Sequence, residues 1–259
     1  MEIPSLFSLK GRVAFVSGAG GHLGRAMSRA LAQAGAHLIV NGRDDDKLAA
    51  FEERLRSEGH SVTRAAFDVG DIAAVRRFFG GLKRLDILVN NAVAMQVKGF
   101  SALEPSDFAQ TYQSAVVASF EAARAALPAL TQAVAEAGDA SIVNIASMYG
   151  AVAPDGRLYE NRDQQSPFHY GPAKAGLLQL TRHLAAEFGA RGIRVNALVP
   201  GPFPAEAPGE LAARLSGRTM LGRVGKAEEI AGPLLFLASP ASSYMTGAAL
   251  DIDGGWTAW

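Results

Sequence analysis

Tyr170 and Lys174 stand four residues apart in SPFHYGPAKAGLLQLTRHLAAEFG, residues 166–189. From Ala173 on, the apolar positions follow a helical period, and residues four apart on a helix share a face, so a phenol and an ammonium can point into one site. That pairing suits proton transfer. A free tyrosine ionises near pH ~10, and making it both donor and acceptor near neutrality takes a shift of roughly three pH units, about 4 kcal/mol. An exposed ion pair supplies at most about 1 kcal/mol, so Lys174 suffices only in a dry site or beside a second positive charge. Alone, the same spacing also describes a core aromatic followed by a solvated lysine.

A third candidate, Ser147, follows the apolar run SIVNIA (141–146), the carboxyl end of a predicted strand. A serine there caps a turn or faces the crevice that Tyr170 faces. Between them, residues 148–169 mix Arg157, Tyr159, Glu160, Asn161 and Arg162 with turn residues. So long a connection beside a site is expected to be a lid or binding loop.

The elements that must position these groups alternate between strand and helix. Residues 12–17, RVAFVS, read as a buried parallel strand, GAGGHLG (Gly18 to Gly24) as a glycine-rich turn, and the residues through Ala34 as a helix. Strand, turn and helix N-terminus make a cradle for a pyrophosphate. The six-position Gly-x-Gly-x-x-Gly fingerprint fails, because Leu23 stands where its last glycine belongs. The second strand, HLIVN (37–41), runs into Gly42-Arg43, where an acidic residue would bind a ribose 2′-hydroxyl and an arginine a 2′-phosphate. NADP is therefore favoured over NAD, unless Arg43 is taken up by Asp44, Asp45 or Asp46.

A helix is expected over 44–58, a strand over 61–67, and Asp68-Val69 at its carboxyl end, where Asp68 contacts an adenine or caps the helix starting near Asp71. The strand over 86–89 leads into Asn90-Asn91-Ala92, whose amides serve a ligand or the loop's own backbone. A long alanine-rich helix from Pro105 is expected to break at Pro128 and end by Gly138. Further strands lie over 193–199 and 248–252 and a helix over 226–238, with a helical flap over 206–220. The strand over 193–199 ends in the stiff turn Pro200-Gly201-Pro202-Phe203-Pro204. With no repeat or linker, the pattern implies one α/β domain around a doubly wound sheet, with a dinucleotide-binding half over about 1–145 and a catalytic half over about 146–259.

Composition narrows the partners. The chain has 259 residues, 49% of them hydrophobic, and equal numbers of basic and acidic residues, 25 each. No overall field draws it to nucleic acid or to an anionic membrane. It has no cysteine, and its five histidines do not cluster as metal ligands, so no metal site is expected. The start, MEIPSLFSLKGR, lacks a signal-peptide pattern and no apolar run approaches a membrane span, so a cytoplasmic protein is expected.

In ordered combination these residues resemble the short-chain dehydrogenase/reductase family over nearly the whole chain. SGAGGHLG resembles its Thr-Gly-x-x-x-Gly-x-Gly turn, NNA its fourth-strand motif, Ser147 with Tyr170-x-x-x-Lys174 its catalytic set, RVNALVPGP its nicotinamide turn, and the segment through DIDGGW its carboxyl-terminal dimer region. The resemblance implies a Rossmann-type parallel sheet in order 3-2-1-4-5-6-7 and a homotetramer assembled through helices including the Tyr170 helix. It makes Tyr170 the general acid/base, Lys174 its electrostatic partner and a ribose ligand, and Ser147 the hydrogen-bond partner of the substrate oxygen. It places the dinucleotide against Ser17, Gly18, Gly21, His22, Leu23, Gly24, Arg43, Asp68, Val69, Asn90, Ala92, Tyr170, Lys174, Pro200, Gly201 and Phe203.

Four positions in three motifs depart from the family pattern. His22 replaces the middle glycine of the turn, with Ser17 for its threonine; Val93 replaces a glycine after NNA; and Ala115 stands where the catalytic asparagine belongs, with Ser114 beside it. NGRDDDKL and the terminal DGGWTAW resemble gluconate 5-dehydrogenases, and the longer 148–169 connection resembles members attached to bacterial surface-sugar biosynthesis. Both imply a polyhydroxylated small-molecule substrate, a sugar acid or a related polyol; for an acid, Arg157 and Arg162 are candidate carboxylate ligands unless they are solvated loop charges. A 3-oxoacyl thioester is the alternative substrate, and a cofactor-sensing protein without catalysis the alternative class.

Overall fold

Apolar runs become parallel strands here because helices cover both faces of the sheet. The computed structural model describes residues 3–206 and 209–259. The described elements are α1 (Ile3–Leu6), β1 (Val13–Val16), α2 (His22–Gln33), β2 (His37–Gly42), α3 (Asp45–Ser57), β3 (Val62–Ala66), α4 (Ile72–Gly80), β4 (Ile87–Asn90) and α5 (Pro105–Tyr112). After them come a π-helical segment (Gln113–Val117), α6 (Ala118–Ala137), β5 (Ala140–Ile145), α7 (Tyr170–Phe188), β6 (Ile193–Pro200), α8 (Gly209–Arg218), α9 (Ala231–Ala238) and β7 (Ala249–Ile252). The strands form one seven-stranded sheet in the order β3-β2-β1-β4-β5-β6-β7, every neighbouring pair parallel. β4, β5 and β6 are buried at every residue, whereas the edge strands β3 and β7 alternate with exposed positions.

Successive residues of β1 point to opposite layers. Ala14 and Val16 join Met27, Leu31, Leu234 and Leu237 on the face covered by α2, α3 and α9. Phe15 joins Val75, Phe79, Leu130 and Phe188 under α4, α6 and α7. The alanines of α6 at 122, 123, 126, 129 and 133 are all buried, giving the helix a flat face toward the sheet. α6 does not break at Pro128 as the sequence predicts. Pro128 lies on its exposed side, where water can take the carbonyl that proline leaves unpaired, and the helix continues to Ala137 before ending on left-handed Gly138.

The amino-terminal ends of the central strands are locked by charge. Asp86 is fully buried and accepts from the Val13 amide at 2.9 Å, Arg12 at 3.1 Å and Arg84 at 2.7 Å. Arg12 also reaches Asp139 at 2.7 Å, Asp139 meets Arg194 at 3.4 Å, and Arg84 meets Glu136 at 2.6 Å. At the other end of the sheet, β2 and β4 diverge on either side of β1, the arrangement at which open α/β sheets form a crevice.

Candidate active site

Two glycines allow the predicted catalytic groups to meet. Ser147 follows β5 and accepts a hydrogen bond from the Tyr149 amide at 3.2 Å, opening a single 3-10 turn, Met148–Gly150. A Cβ on Gly150 would lie 3.0 Å from the Lys174 carbonyl carbon, and one on Gly171 would lie 2.8 Å from the Tyr149 carbonyl oxygen. Bare backbone at both positions lets the turn after β5 rest directly on the first turns of α7. The Ser147 hydroxyl thereby comes close enough to the Tyr170 phenol to influence its ionisation. Neither glycine was singled out from the sequence, although one lies three residues after Ser147 and the other directly after Tyr170.

Lys174 lies one turn along α7, 3% exposed, with Nζ donating to the Ile145 carbonyl at 2.6 Å and lying 5.6 Å from the centre of the Tyr170 ring. Burial lowers its ammonium from an ordinary 10.5 to about 8. Burial raises the Tyr170 phenol, an effect that the Ser147 hydroxyl partly opposes. A half-buried phenol and a fully buried ammonium therefore stand side by side on the first turns of α7.

Near them, Tyr149 faces Tyr159 from the 148–169 connection, and burial together with Tyr159 raises its phenol strongly. The connection packs on α8. Leu158 and Val152 join Leu211 and Leu215 around Met148 and Trp256, and Arg214 donates to the Leu158 carbonyl at 2.6 Å. The flap expected over 206–220 is thus a helix over 209–218 seated on the connection; residues 207 and 208 lie outside the described residues. Arg157, 84% exposed, is gripped by Asp155 through two bonds of 2.9 and 2.7 Å, which hold the Asp155 carboxyl down to about 2. Arg162 is exposed and lines the same open depression. No aimed carboxylate clamp results.

A cleft of about 390 Å³ runs across the carboxyl ends of β1, β2, β3 and β4. Among the predicted dinucleotide contacts, Gly18, Gly21, Arg43, Asp68, Val69 and Ala92 line it, together with Gly20, Lys47 and Ser114. A Cβ on Gly24 would run into the Gly18 carbonyl, so the turn folds tightly back on α2. Arg43 is 72% exposed and lies 3.8 Å from Asp68, while Asp44 takes Lys47 and Asp45 takes Arg64. The guanidinium is not consumed by the neighbouring acids that the sequence offered it. Asp71, not Asp68, caps α4, and Asp68 accepts instead from the Gly70 amide.

Other predicted contacts are turned elsewhere. The Ser17 hydroxyl accepts from the Asn91 and Ala92 amides at 2.9 and 3.0 Å and donates to the Val89 carbonyl, tying β1 to β4. The Asn90 amide donates to Asn144, which donates to Thr181 of α7, both inside the core. His22 is exposed at the first position of α2, with partly buried Leu23 after it, and neither lines the cleft. Pro200 ends β6, and Gly201 packs on Asp253. Phe203 packs on Gly225 and lines a separate 220 Å³ depression. Ala115 sits in the π-helical segment against Ala173 and Leu177, and the Ser114 hydroxyl accepts from the Ala94 amide.

A family model described as Enoyl-(Acyl carrier protein) reductase matches residues 18–257. The chain belongs to the short-chain dehydrogenase/reductase family. It is 36% identical to a galactitol 2-dehydrogenase (L-tagatose-forming) of Cereibacter sphaeroides over 100% of both chains. With a gluconate 5-dehydrogenase of Gluconobacter oxydans (strain 621H) it shares 34% identity over 99% of each chain. Among solved structures, a gluconate 5-dehydrogenase from Burkholderia cenocepacia J2315, in complex with NADP and tartrate, superposes with a TM-score of 0.87 at 31% identity over 100% of both chains. The sheet order and the membership expected from the sequence are both borne out. Among the described residues no helix is long and apolar enough to cross a membrane.

Proposed function

We propose that this oxidoreductase interconverts a secondary alcohol and a ketone on a sugar acid or related polyol, with NADP(H) preferred over NAD(H). The observation that carries the reading is the convergence of Ser147, half-buried Tyr170 and buried Lys174, with Arg43 on a glycine-lined cleft at the same end of the sheet. The residues fit a dinucleotide: bare glycines line the cleft, and two cations, Arg43 and Lys47, stand where β2 ends. When bound, its nicotinamide supplies or accepts the hydride.

The chain's own groups handle the proton. The Ser147 hydroxyl holds the substrate oxygen, and the Tyr170 phenol gives that oxygen its proton or takes it away. Lys174 favours the phenolate: a unit charge about 6 Å away at an effective dielectric constant of ~20 contributes about 3 kcal/mol. With its pKa at about 8, the amine is mostly cationic at neutral pH. Tyr149 and Tyr159 offer hydroxyls beside the reacting centre, a lining suited to a polyhydroxylated substrate. The galactitol and gluconate dehydrogenases to which the chain is similar support the same class. Exposed Phe108, Tyr112 and Phe120 along α5 and α6 support self-association, expected as a homotetramer.

The apolar group around Leu211, Leu215 and Trp256 favours a second reading, reduction of a 3-oxoacyl thioester. Consumption of NADPH and of NADH against keto-sugar acids, ketoses and acetoacetyl thioesters, with Tyr170→Phe in parallel, decides between them. Reduction of a keto-sugar acid by native protein alone supports the leading reading, and turnover confined to the thioester replaces it. Coenzyme binding with no turnover across a broad panel indicates a cofactor sensor.

A further inference from the structure

Arg218 ends α8 half-buried, and among the described residues its guanidinium has neither an ion pair nor a hydrogen-bond acceptor. The other described cations without an ion pair are exposed, except Lys174, which is buried and donates to the Ile145 carbonyl. A charge drawn partly out of water and given no partner costs free energy that a bound anion would return. Two indoles hold it instead. The guanidinium carbon lies 5.5 Å from the centre of the Trp256 ring and 5.8 Å from that of Trp259. Contacts of this kind draw on the charge and leave the planar fork of N–H donors free.

The free fork stands near the chemistry. Arg218 follows Leu215 by three residues and so shares its face of α8. Leu215 and Trp256 pack on Met148, the residue directly after Ser147. Arg218 is also near enough to Asp155 to help lower its carboxyl, and the charge of Asp155 in turn reaches the Tyr149 phenol. Asp155 does not take the guanidinium, because its two oxygens are held by the Arg157 side chain at 2.9 and 2.7 Å and by the Arg157 amide at 3.0 Å. Two cations, Arg157 and Arg218, against that one carboxylate leave this wall positive. Arg218 does not line the dinucleotide cleft, where Arg43 and Lys47 stand, so the anion it suits arrives with the substrate.

We infer that Arg218 is the carboxylate-binding residue of the substrate crevice, clasping the acid group of a sugar acid whose reacting carbon meets Ser147 and Tyr170. The assignment rests on the sugar-acid reading of the site and takes the role that the sequence offered to Arg157 and Arg162. One planar fork with a single net charge around it matches a carboxylate, whose two oxygens accept in parallel, better than a phosphate dianion. A neutral polyol forfeits that bond, so the crevice ranks an acid above the polyol of equal length.

Trp256 and Trp259 are the two tryptophans of the chain, so indole fluorescence reports on the guanidinium without turnover. The NADP-loaded protein is titrated with six-carbon sugar acids, gluconate among them, and with glucitol, a neutral polyol of the same length. A saturable change with an acid and none with glucitol is expected. Calorimetry then gives the affinities of the variants, in which the indoles have lost their reporter. Arg218→Gln should bind the acid roughly tenfold to a hundredfold more weakly, the scale of a hydrogen bond to a charged group, and Arg218→Lys should recover part of the loss. Native protein that binds no acid, or Arg218→Gln that binds as native protein does, overturns the inference. In turnover, Arg218→Gln should raise KM for a keto-sugar acid by the same factor and leave kcat and the KM for a neutral ketose unchanged; equal losses on acid and ketose would make Arg218 a packing residue and overturn it too. Acid binding that depends on Arg218 without any turnover sinks the proposed reaction and keeps this site, whereas keto-acid turnover indifferent to Arg218 does the reverse.

Discussion

Replacing Lys174 by methionine should abolish most activity and yet leave the protein more stable at neutral pH. The lysine ammonium is fully buried, and its pKa falls from 10.5 in the unfolded chain to about 8 in the fold. Between those values the unfolded chain holds a proton that the folded chain has released, so native stability rises with pH across the window. At about 1.4 kcal/mol per pH unit, native protein should gain about 3 kcal/mol between pH 8 and 10.5 relative to a variant with nothing to titrate there. Below pH 8 the same amount is the full burden of burying the charge. Methionine removes that burden but orphans the Ile145 carbonyl, at a cost of about 1–2 kcal/mol, so the variant should be about 1–2 kcal/mol more stable at pH 7. Turnover should fall roughly a hundredfold, the kinetic equivalent of losing about 3 kcal/mol of phenolate stabilisation. Urea unfolding of both proteins at pH 7, 8.5 and 10, followed through Trp256 and Trp259, reads the difference directly. A gap in stability that stays the same at every pH would refute the reasoning, because it would mean that Lys174 titrates as a solvated amine.

Arg43→Ala should raise the KM for NADPH at least roughly tenfold and leave that for NADH unchanged, the usual scale of a lost hydrogen bond to a charged group; equal effects on both coenzymes would remove Arg43 from the 2′-phosphate. Ser17→Ala strands two backbone amides and should cost about 2–4 kcal/mol, lowering Tm by roughly 5–15 °C in calorimetry. An unchanged Tm with weaker coenzyme binding would show instead that the hydroxyl serves the ligand. Arg214→Ala cuts the bond between α8 and the Leu158 carbonyl and should raise the substrate KM severalfold with little change for coenzyme, measured by steady-state kinetics. A coenzyme effect alone would contradict the expectation that the 148–169 connection, on which α8 is seated, is a substrate-binding loop.

The sheet was legible because buried parallel strands are written as unbroken apolar runs, and Ser147, Tyr170 and Lys174 because strand end and helical spacing are local patterns. What escaped the sequence depends on distant partners. Asn90 looks available until Asn144, from the next strand, takes its amide. Gly150 and Gly171 look like ordinary turn residues until each is seen to have the other segment's backbone against it. Pro128 reads as a helix breaker unless its side of the helix is known to face solvent. Arg157 reads as a ligand for a carboxylate, and finds one in Asp155 two residues away. Arg218 raised no signal beyond its place in the expected flap, since only the fold brings Trp256 and Trp259 to its guanidinium.

The cluster of Arg12, Arg84, Asp86, Asp139 and Arg194 sits at the pole of the sheet opposite the candidate site. Its members clamp four strand starts, while the loops of the candidate site hang from the strand ends. Robustness and specificity are therefore housed in separate sets of residues, joined only through the stiff body of the sheet. A lineage could redraw the 148–169 connection and α8 for a new substrate while the clamp holds the scaffold in register. Ionic networks of this kind also gain relative worth as temperature rises, because charged groups lose less on leaving hot water. Adaptation to heat and adaptation to diet could then proceed in this chain by different mutations.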